Sequence, residues 1–302
     1  MSEERRGFLF GVAAYGLWGL FPLYWPLLEP ASALEILAHR VVWSVGFVLG
    51  LLWLRRRAGN LRAILTERRT RWILTFAAGV LAINWWTYIW GVNHGHVVET
   101  SLGYFITPLI SVLLGVVVLH ERLRAIQWFA VGIGTLAVVV LTLDYARPPW
   151  LALILAVSFG SYGLAKKKAD VGAIEGLSIE TLVLLPLAGI YLLLVQVQGE
   201  GHFGDHGWVH ALLLIGTGAI TAVPLLFFGA AATRVSMTTL GMLQYLAPLM
   251  QFALGLLVFH EIMSTARWVG FALVWLALLL LTGESLVNRR RSRVRVLAGA
   301  SA

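Results

Sequence analysis

Ten apolar runs, each about as long as a bilayer is thick, follow one another with short breaks along this 302-residue chain. They cover 7–28, 33–54, 72–92, 98–118, 124–143, 149–165, 177–196, 208–231, 236–258 and 266–283. A helix needs roughly 20 apolar residues to cross the hydrocarbon core. The spacing therefore predicts an all-α integral membrane protein with ten transmembrane helices. Composition agrees: the chain is 59% hydrophobic and 13% charged, with a mean hydropathy of +0.82, outside the range of soluble domains.

The first run has the look of a secretory signal, with Arg5 and Arg6 ahead of it and Ala31-Ser32-Ala33 as a possible cleavage site. Its apolar core is too long for a signal peptide, and nine more runs follow, so it reads as an uncleaved span. There are no cysteines, which excludes disulfides, thiolate metal sites and thiol catalysis.

The pI near 10.2 reports topology rather than nucleic-acid binding. With the N-terminus inside, 20 of the 23 Lys and Arg residues fall in internal segments, at 5–6, 55–57, 62–71, 122–124, 166–168, 234 and 289–295. Arg147 and Arg267 fall outside, and Arg40 lies within a span. This bias places both termini in the cytoplasm.

The chain also repeats itself. Pro108-Leu109 through His120-Glu121 to Trp128 returns 140 positions later as Pro248-Leu249 through His260-Glu261 to Trp268. Tyr15-Gly16-Leu17-Trp18-Gly19-Leu20 is echoed by Phe159-Gly160-Ser161-Tyr162-Gly163-Leu164. Five spans per half is an odd number, so the halves have opposite orientation. The expected architecture is two inverted five-helix repeats, 1–145 and 146–287, followed by a basic, unstructured cytoplasmic tail, 288–302. Inverted repeats are a construction of secondary transporters.

Candidate site residues follow from polar groups placed where lipid would reject them. Tyr104, Pro108 and Ser111 share one face of the fourth span, and Gln244, Pro248 and Gln251 occupy the corresponding places in the ninth. Paired prolines in two halves point to a binding site. Thr107 and Tyr245 flank these stripes. Asn84 and Tyr88 in the third span, with Ser161 and Tyr162 in the sixth, complete a possible cavity wall. Trp85 and Trp86 form either an aromatic belt or a stacking wall. Glu35, His39 and Arg40 in the second span are either a structural ion pair, Glu35 with Arg40 or His39, or a gating and proton-responsive group. Glu180 near the inner end of the seventh span joins that second set. The segment 55–71 suggests an amphipathic surface helix, and the loop 197–207 a flexible external loop.

Catalytic and metal signatures are missing. His120-Glu121 and His260-Glu261 would need a second histidine at 124 or 264, where the chain has Arg124 and Ser264. The cluster His94, His96 and Glu99 is an open loop without a closed ligand set. The His-Glu turns read instead as helix caps. No cofactor is implied, and the expected partners are a small-molecule substrate and the lipid bilayer.

Several segments carry a family resemblance. They are Leu37-Ala38-His39-Arg40-Val41-Val42-Trp43-Ser44, Asn84-Trp85 through Asn93-His94, Glu99 through Pro108, Ser178-Ile179-Glu180-Thr181 with Leu185-Pro186, and Ala231-Ala232-Thr233-Arg234. Together they resemble the RarD subgroup of EamA-type permeases, within the drug/metabolite transporter superfamily, over roughly residues 7–285. The resemblance implies ten helices in two inverted repeats, a bacterial inner membrane and small-molecule transport, not enzymatic chemistry. The expectation is a secondary transporter of small amphipathic metabolites or drugs; the alternative is a non-transporting membrane receptor or scaffold.

Overall fold

The computed structural model describes the backbone of residues 2–54, 61, 64–120, 122–232, 234–235 and 237–299. Side chains are described for these except 119, 173, 232, 237, 238, 285 and 287–299. Among the described residues every regular element is helical: α1 Glu3–Gly19, α2 Ala33–Leu54, α3 Arg68–Asn93, α4 Val97–Leu119, α5 Ala125–Tyr145, α6 Trp150–Ala169, α7 Ala173–Gln198, α8 Gly207–Ala232, α9 Met237–Leu243, α10 Leu246–Leu257 and α11 Thr265–Gly299. Eight stretches are long and apolar enough to cross a membrane, one of them running through α9 and α10. The other two expected spans, α1 and α6, fall short of that measure: α1 has only 17 residues, and α6 ends on Lys166, Lys167 and Lys168.

Two expected spans are broken, each by proline. The first does not run to residue 28. α1 stops at Gly19 and gives way to two 3-10 turns, Phe21–Leu23 and Trp25–Leu28, each with proline in its first positions. The ninth breaks at Gln244–Tyr245, four residues before Pro248. A proline ring collides with the carbonyl four residues back, and here that carbonyl belongs to Gln244. In α4, Pro108 sits inside an unbroken helix. There the Thr107 hydroxyl donates to the Gly103 carbonyl at 3.0 Å; Ala247 stands in the equivalent place of the second copy. At the other end the expected unstructured tail is a continuation of α11, whose backbone stays helical to Gly299. Much of the proposed surface helix at 55–71 and Glu121 lie outside the described residues.

Helix packing follows a pattern. α4 packs on α6, and α1 on α10. α3 packs on α6, and α1 on α8. α2 packs on α8, and α3 on α7. The pairs α2–α7, α5–α11 and α4–α10 also touch. Glycines bring the backbones close: a Cβ on Gly218 of α8 would lie 2.6 Å from the Trp43 carbonyl carbon of α2, and one on Gly103 of α4 would lie 2.9 Å from the Ala152 oxygen of α6. Small residues permit this approach in membrane bundles. Large apolar side chains such as Leu143, Leu187 and Val197 face outward, more than two-thirds exposed. Such a surface suits lipid rather than water.

Candidate functional site

The most unusual side chain in the interior is Arg40, on α2 and only 4% exposed. It lies seven residues into the helix, about 10 Å along it at 1.5 Å per residue. Gly218 holds α8 against α2, and one α8 turn further on Thr221 Oγ1 accepts from Arg40 Nε at 2.8 Å. The guanidinium carbon sits 3.9 Å from the ring centre of Trp85, 5.2 Å from Trp25 and 5.6 Å from Phe21. Aromatic faces stabilise a cation, but more weakly than a counter-charge. Arg40 has no carboxylate partner among the described residues.

A chain of polar and aromatic groups runs from this cage toward the end of α6. Tyr88 packs edge-on to Tyr104 at 5.6 Å, Tyr104 to Phe159 at 5.8 Å, and Phe159 lies 6.0 Å from Tyr162. The Tyr104 hydroxyl donates to Asn84 Oδ1 at 3.2 Å, and Asn84 Nδ2 donates to Ser158 Oγ at 3.0 Å and to the Leu155 carbonyl. Tyr162 then donates to Glu180 Oε2 at 3.1 Å, while Lys166 Nζ bonds Glu180 Oε1 at 3.0 Å. Both halves of the chain contribute: α2, α3 and α4 from the first, α6, α7 and α8 from the second.

One rim of the bundle, where α2, α4, α6 and α8 begin, is tied by charged groups. Glu35 does not pair with Arg40 or His39. Its carboxylate accepts from the His202 backbone N–H and meets His202 Nδ1, both at 2.7 Å. His39 stacks on Phe203 at 5.1 Å. The loop 197–207 is therefore docked over the start of α2 rather than free. Nearby, Glu99 accepts from Arg147 Nη2 at 2.9 Å and from the Leu151 N–H at 3.2 Å. Asp144 accepts from Ser264 Oγ and Arg267 Nε. Glu261 caps α4 from the opposite half: its two oxygens accept the Val98 N–H at 3.1 and 3.2 Å. Burial pushes the Glu261 carboxyl up from 4.5 to about 7, against the pull of the Val98 and Val97 N–H groups and Arg267. The second His-Glu turn thus does supply a cap, through Glu261; His120, the C-cap of α4, and His260, in the turn after α10, both adopt the left-handed conformation, with φ 55° and 52°.

The expected site residues divide. Asn84, Tyr88, Tyr104 and Tyr162 come together with Arg40 and Glu180 along one path. Pro108 bends no helix open, Thr107 serves its own helix, and Ser111 is exposed. Ser161 is half-buried, and Gln244 is exposed at the α9–α10 break. Tyr245 reaches Thr282 of α11 at 3.4 Å instead of the centre. Pro248 and Gln251 are buried, and Gln251 Nε2 donates to the Trp18 carbonyl at 3.0 Å. Sequence reasoning missed Trp25 and Phe21, Ser158, His202 and Phe203. The first two carried a signal, the prolines at 22 and 26 that cut the first span.

The profile of the EamA-like transporter family matches twice, over residues 5–143 and 148–283. The chain is 54% identical to Protein RarD of Streptomyces exfoliatus, over 99% of this chain and 95% of that one. It is 43% identical to an uncharacterized transporter of Pseudomonas aeruginosa, over 96% and 97%. A crystal structure 18% identical in sequence superimposes with a TM-score of 0.59, covering 91% of this chain and 96% of the other. That last likeness is one of fold.

Proposed function

The chain belongs to the EamA-like transporter family, in its RarD subgroup, and is a multi-pass membrane protein rather than an enzyme; on that premise we propose that it is a secondary transporter, an exporter of small amphipathic molecules across the bacterial inner membrane. Ten spans, α1 and α6 among them, form two inverted five-helix repeats divided near residue 145, with both termini cytoplasmic. Support comes from the way the helices pair. Exchanging α1 with α6, α2 with α7, α3 with α8, α4 with α9–α10 and α5 with α11 turns each main packing pair into another of the set. A two-fold relation between halves has that property.

The observation that carries the reading is the polar and aromatic path from Arg40 to Lys166, to which both halves contribute and in which Arg40, Asn84, Tyr88 and Glu180 are buried. Buried ionisable groups in a membrane bundle are expensive and mark pathways. Cargo moves by alternating access: the rim with Glu35, Glu99 and Glu261 faces outside, the Lys166–Glu180 end faces the cytoplasm, and the two open in turn. Asn84, Tyr88, Tyr104 and Tyr162 line the route, with Glu180, Glu35 and His39 as gate groups.

Two measurements test this. Cysteines at Arg122 and Ile262, related by the 140-residue shift, should label from opposite sides of the membrane; labelling from one side removes the inverted repeat. Purified protein in liposomes should move small aromatic solutes. Binding without flux would favour the receptor reading.

A further inference from the structure

Around Arg40 the interior holds a surplus of donors. Arg40 spends Nε on Thr221, and Nη1 and Nη2 donate to no described group. Trp25, fully buried, has an indole N–H without a partner, and its ring lies within 5.2 Å of the guanidinium. Tyr88, 3% exposed, has a hydroxyl without a partner and interacts electrostatically with Arg40. Unmet donors inside a protein are costly, and an uncompensated buried charge more so.

Acids that could neutralise Arg40 are engaged elsewhere. Glu35, five residues away on the same helix, is held by His202. Glu180 is held by Tyr162 and Lys166, and Glu99 by Arg147 and Leu151. What the cage lacks is an acceptor that carries negative charge.

We infer that Arg40 docks a carboxylate on the transported molecule, whose flat apolar body lies along Tyr88, Tyr104 and Phe159. A carboxylate matches the two Nη groups as a fork, with the Trp25 and Tyr88 donors beside it. A single guanidinium balances one negative charge. A phosphate monoester would bring nearly two, and the other cation on the path, Lys166, is already paired with Glu180. No buried carboxylate among the described acids named above is free to receive an ammonium group. The cargo class is therefore a small aromatic monocarboxylate, anionic overall, rather than a zwitterion. This rests on reading the path as the cargo route.

The test uses the full chain purified in detergent and in liposomes at pH 8, where the carboxylic-acid probes are anions. Probes are benzoate, 4-hydroxybenzoate and indole-3-carboxylate, with the matching primary amides and phenyl phosphate. Binding is followed by tryptophan fluorescence, because Trp85 and Trp25 flank the site. At least one carboxylate should bind about tenfold or more tightly than its amide, the difference expected of charge-assisted hydrogen bonds. Arg40→Lys, which keeps the charge and loses the fork, should weaken carboxylate binding and leave the amide unchanged. Phenyl phosphate should not compete. The inference is overturned if no carboxylate binds, if amide and carboxylate bind alike, or if Arg40→Gln, checked for folding by its elution and circular dichroism, keeps carboxylate affinity. Arg40-dependent binding without flux would uphold this inference and sink the transporter reading. Flux of amides untouched by Arg40→Lys would do the reverse.

Discussion

The two rims of the bundle are tied together in different ways. At the rim where α2, α4, α6 and α8 begin, the outer one on the proposed topology, three ion pairs join the halves: Glu99–Arg147, Glu35–His202 and Asp144–Arg267. Their acids are 2%, 3% and 14% exposed. At the rim proposed to face inward the cross-half pairs Glu284–Arg124 and Glu3–Arg234 have acids 10% and 65% exposed and basic partners 61% and 35% exposed, and one further pair, Glu180–Lys166 within the second half, is buried, its acid 0% exposed. Exposed ion pairs contribute about 0–1 kcal/mol, whereas breaking a buried one costs about 3–5 kcal/mol. Among the ties between the two halves, the buried acids lie mainly at the rim with Glu35 and Glu99, so that rim is the more firmly tied across the halves.

The largest expected effect comes from Arg147. Arg147→Met leaves the Glu99 carboxylate buried with only the Leu151 N–H. Because Arg147 is 40% exposed, the loss belongs at the low end, about 3 kcal/mol. Thermal melting in detergent should fall further than for Arg124→Ala, and Glu99→Gln in the same chain should restore part of it. An unchanged melting point would erase the difference between the rims.

Glu35 comes next. Glu35→Ala removes both anchors of His202 and should free the loop 197–207, at about 1–3 kcal/mol. A cysteine at Phe203 should then react faster with an impermeant thiol reagent, while one at an inner-rim position should not change.

These ties show how far the chain could be read in advance. Apolar length alone located the long helices, because lipid leaves the backbone few other choices. The second His-Glu turn was legible as a cap, since a helix end needs its carbonyls and N–H groups met, and Glu261 meets the Val98 N–H. The break at Gln244–Tyr245 was half legible: Pro248 announces a fault, but the fault falls four residues earlier, where its ring strikes. Glu35 with His202 was not legible, because 167 positions separate them and only the folded bundle brings the loop to the helix. The Arg40 cage needed the same information, as Thr221 and Trp25 approach from two different helical segments.

The pH response is a smaller effect and has a definite sign. Docked Glu261 titrates near 7, and a released carboxyl near 4.5. The docked state therefore binds the extra proton between those values. Docking is favoured below about pH 4.5 relative to alkaline conditions and weakens as pH rises through 7. The Arg267 charge opposes the upward shift and the Glu99 charge adds to it. A cysteine at Val98, now 2% exposed, should label faster at pH 8 than at pH 5, judged against one at the exposed Ile262. Glu261→Gln should flatten that difference.

The smallest effect is expected at Arg124, and it is the most demanding of the comparison. Arg124→Ala deletes a 2.8 Å bond to Glu284, shorter than the Glu99–Arg147 contact at 2.9 Å. If distance set the energy, this variant would cost as much as Arg147→Met. It should not, for two physical reasons. Arg124 is 61% exposed, so water solvates its charge before and after the bond forms. Glu284 also accepts from Gln127 Nε2 at 3.1 Å and keeps that donor in the variant. The expected loss is under about 1 kcal/mol, fading further at high salt as screening grows. Transport should survive, with the inner rim opening more readily and inner cysteines labelling faster. A melting point lowered as far as that of Arg147→Met would mean that burial does not separate the rims, and that both close with equal strength.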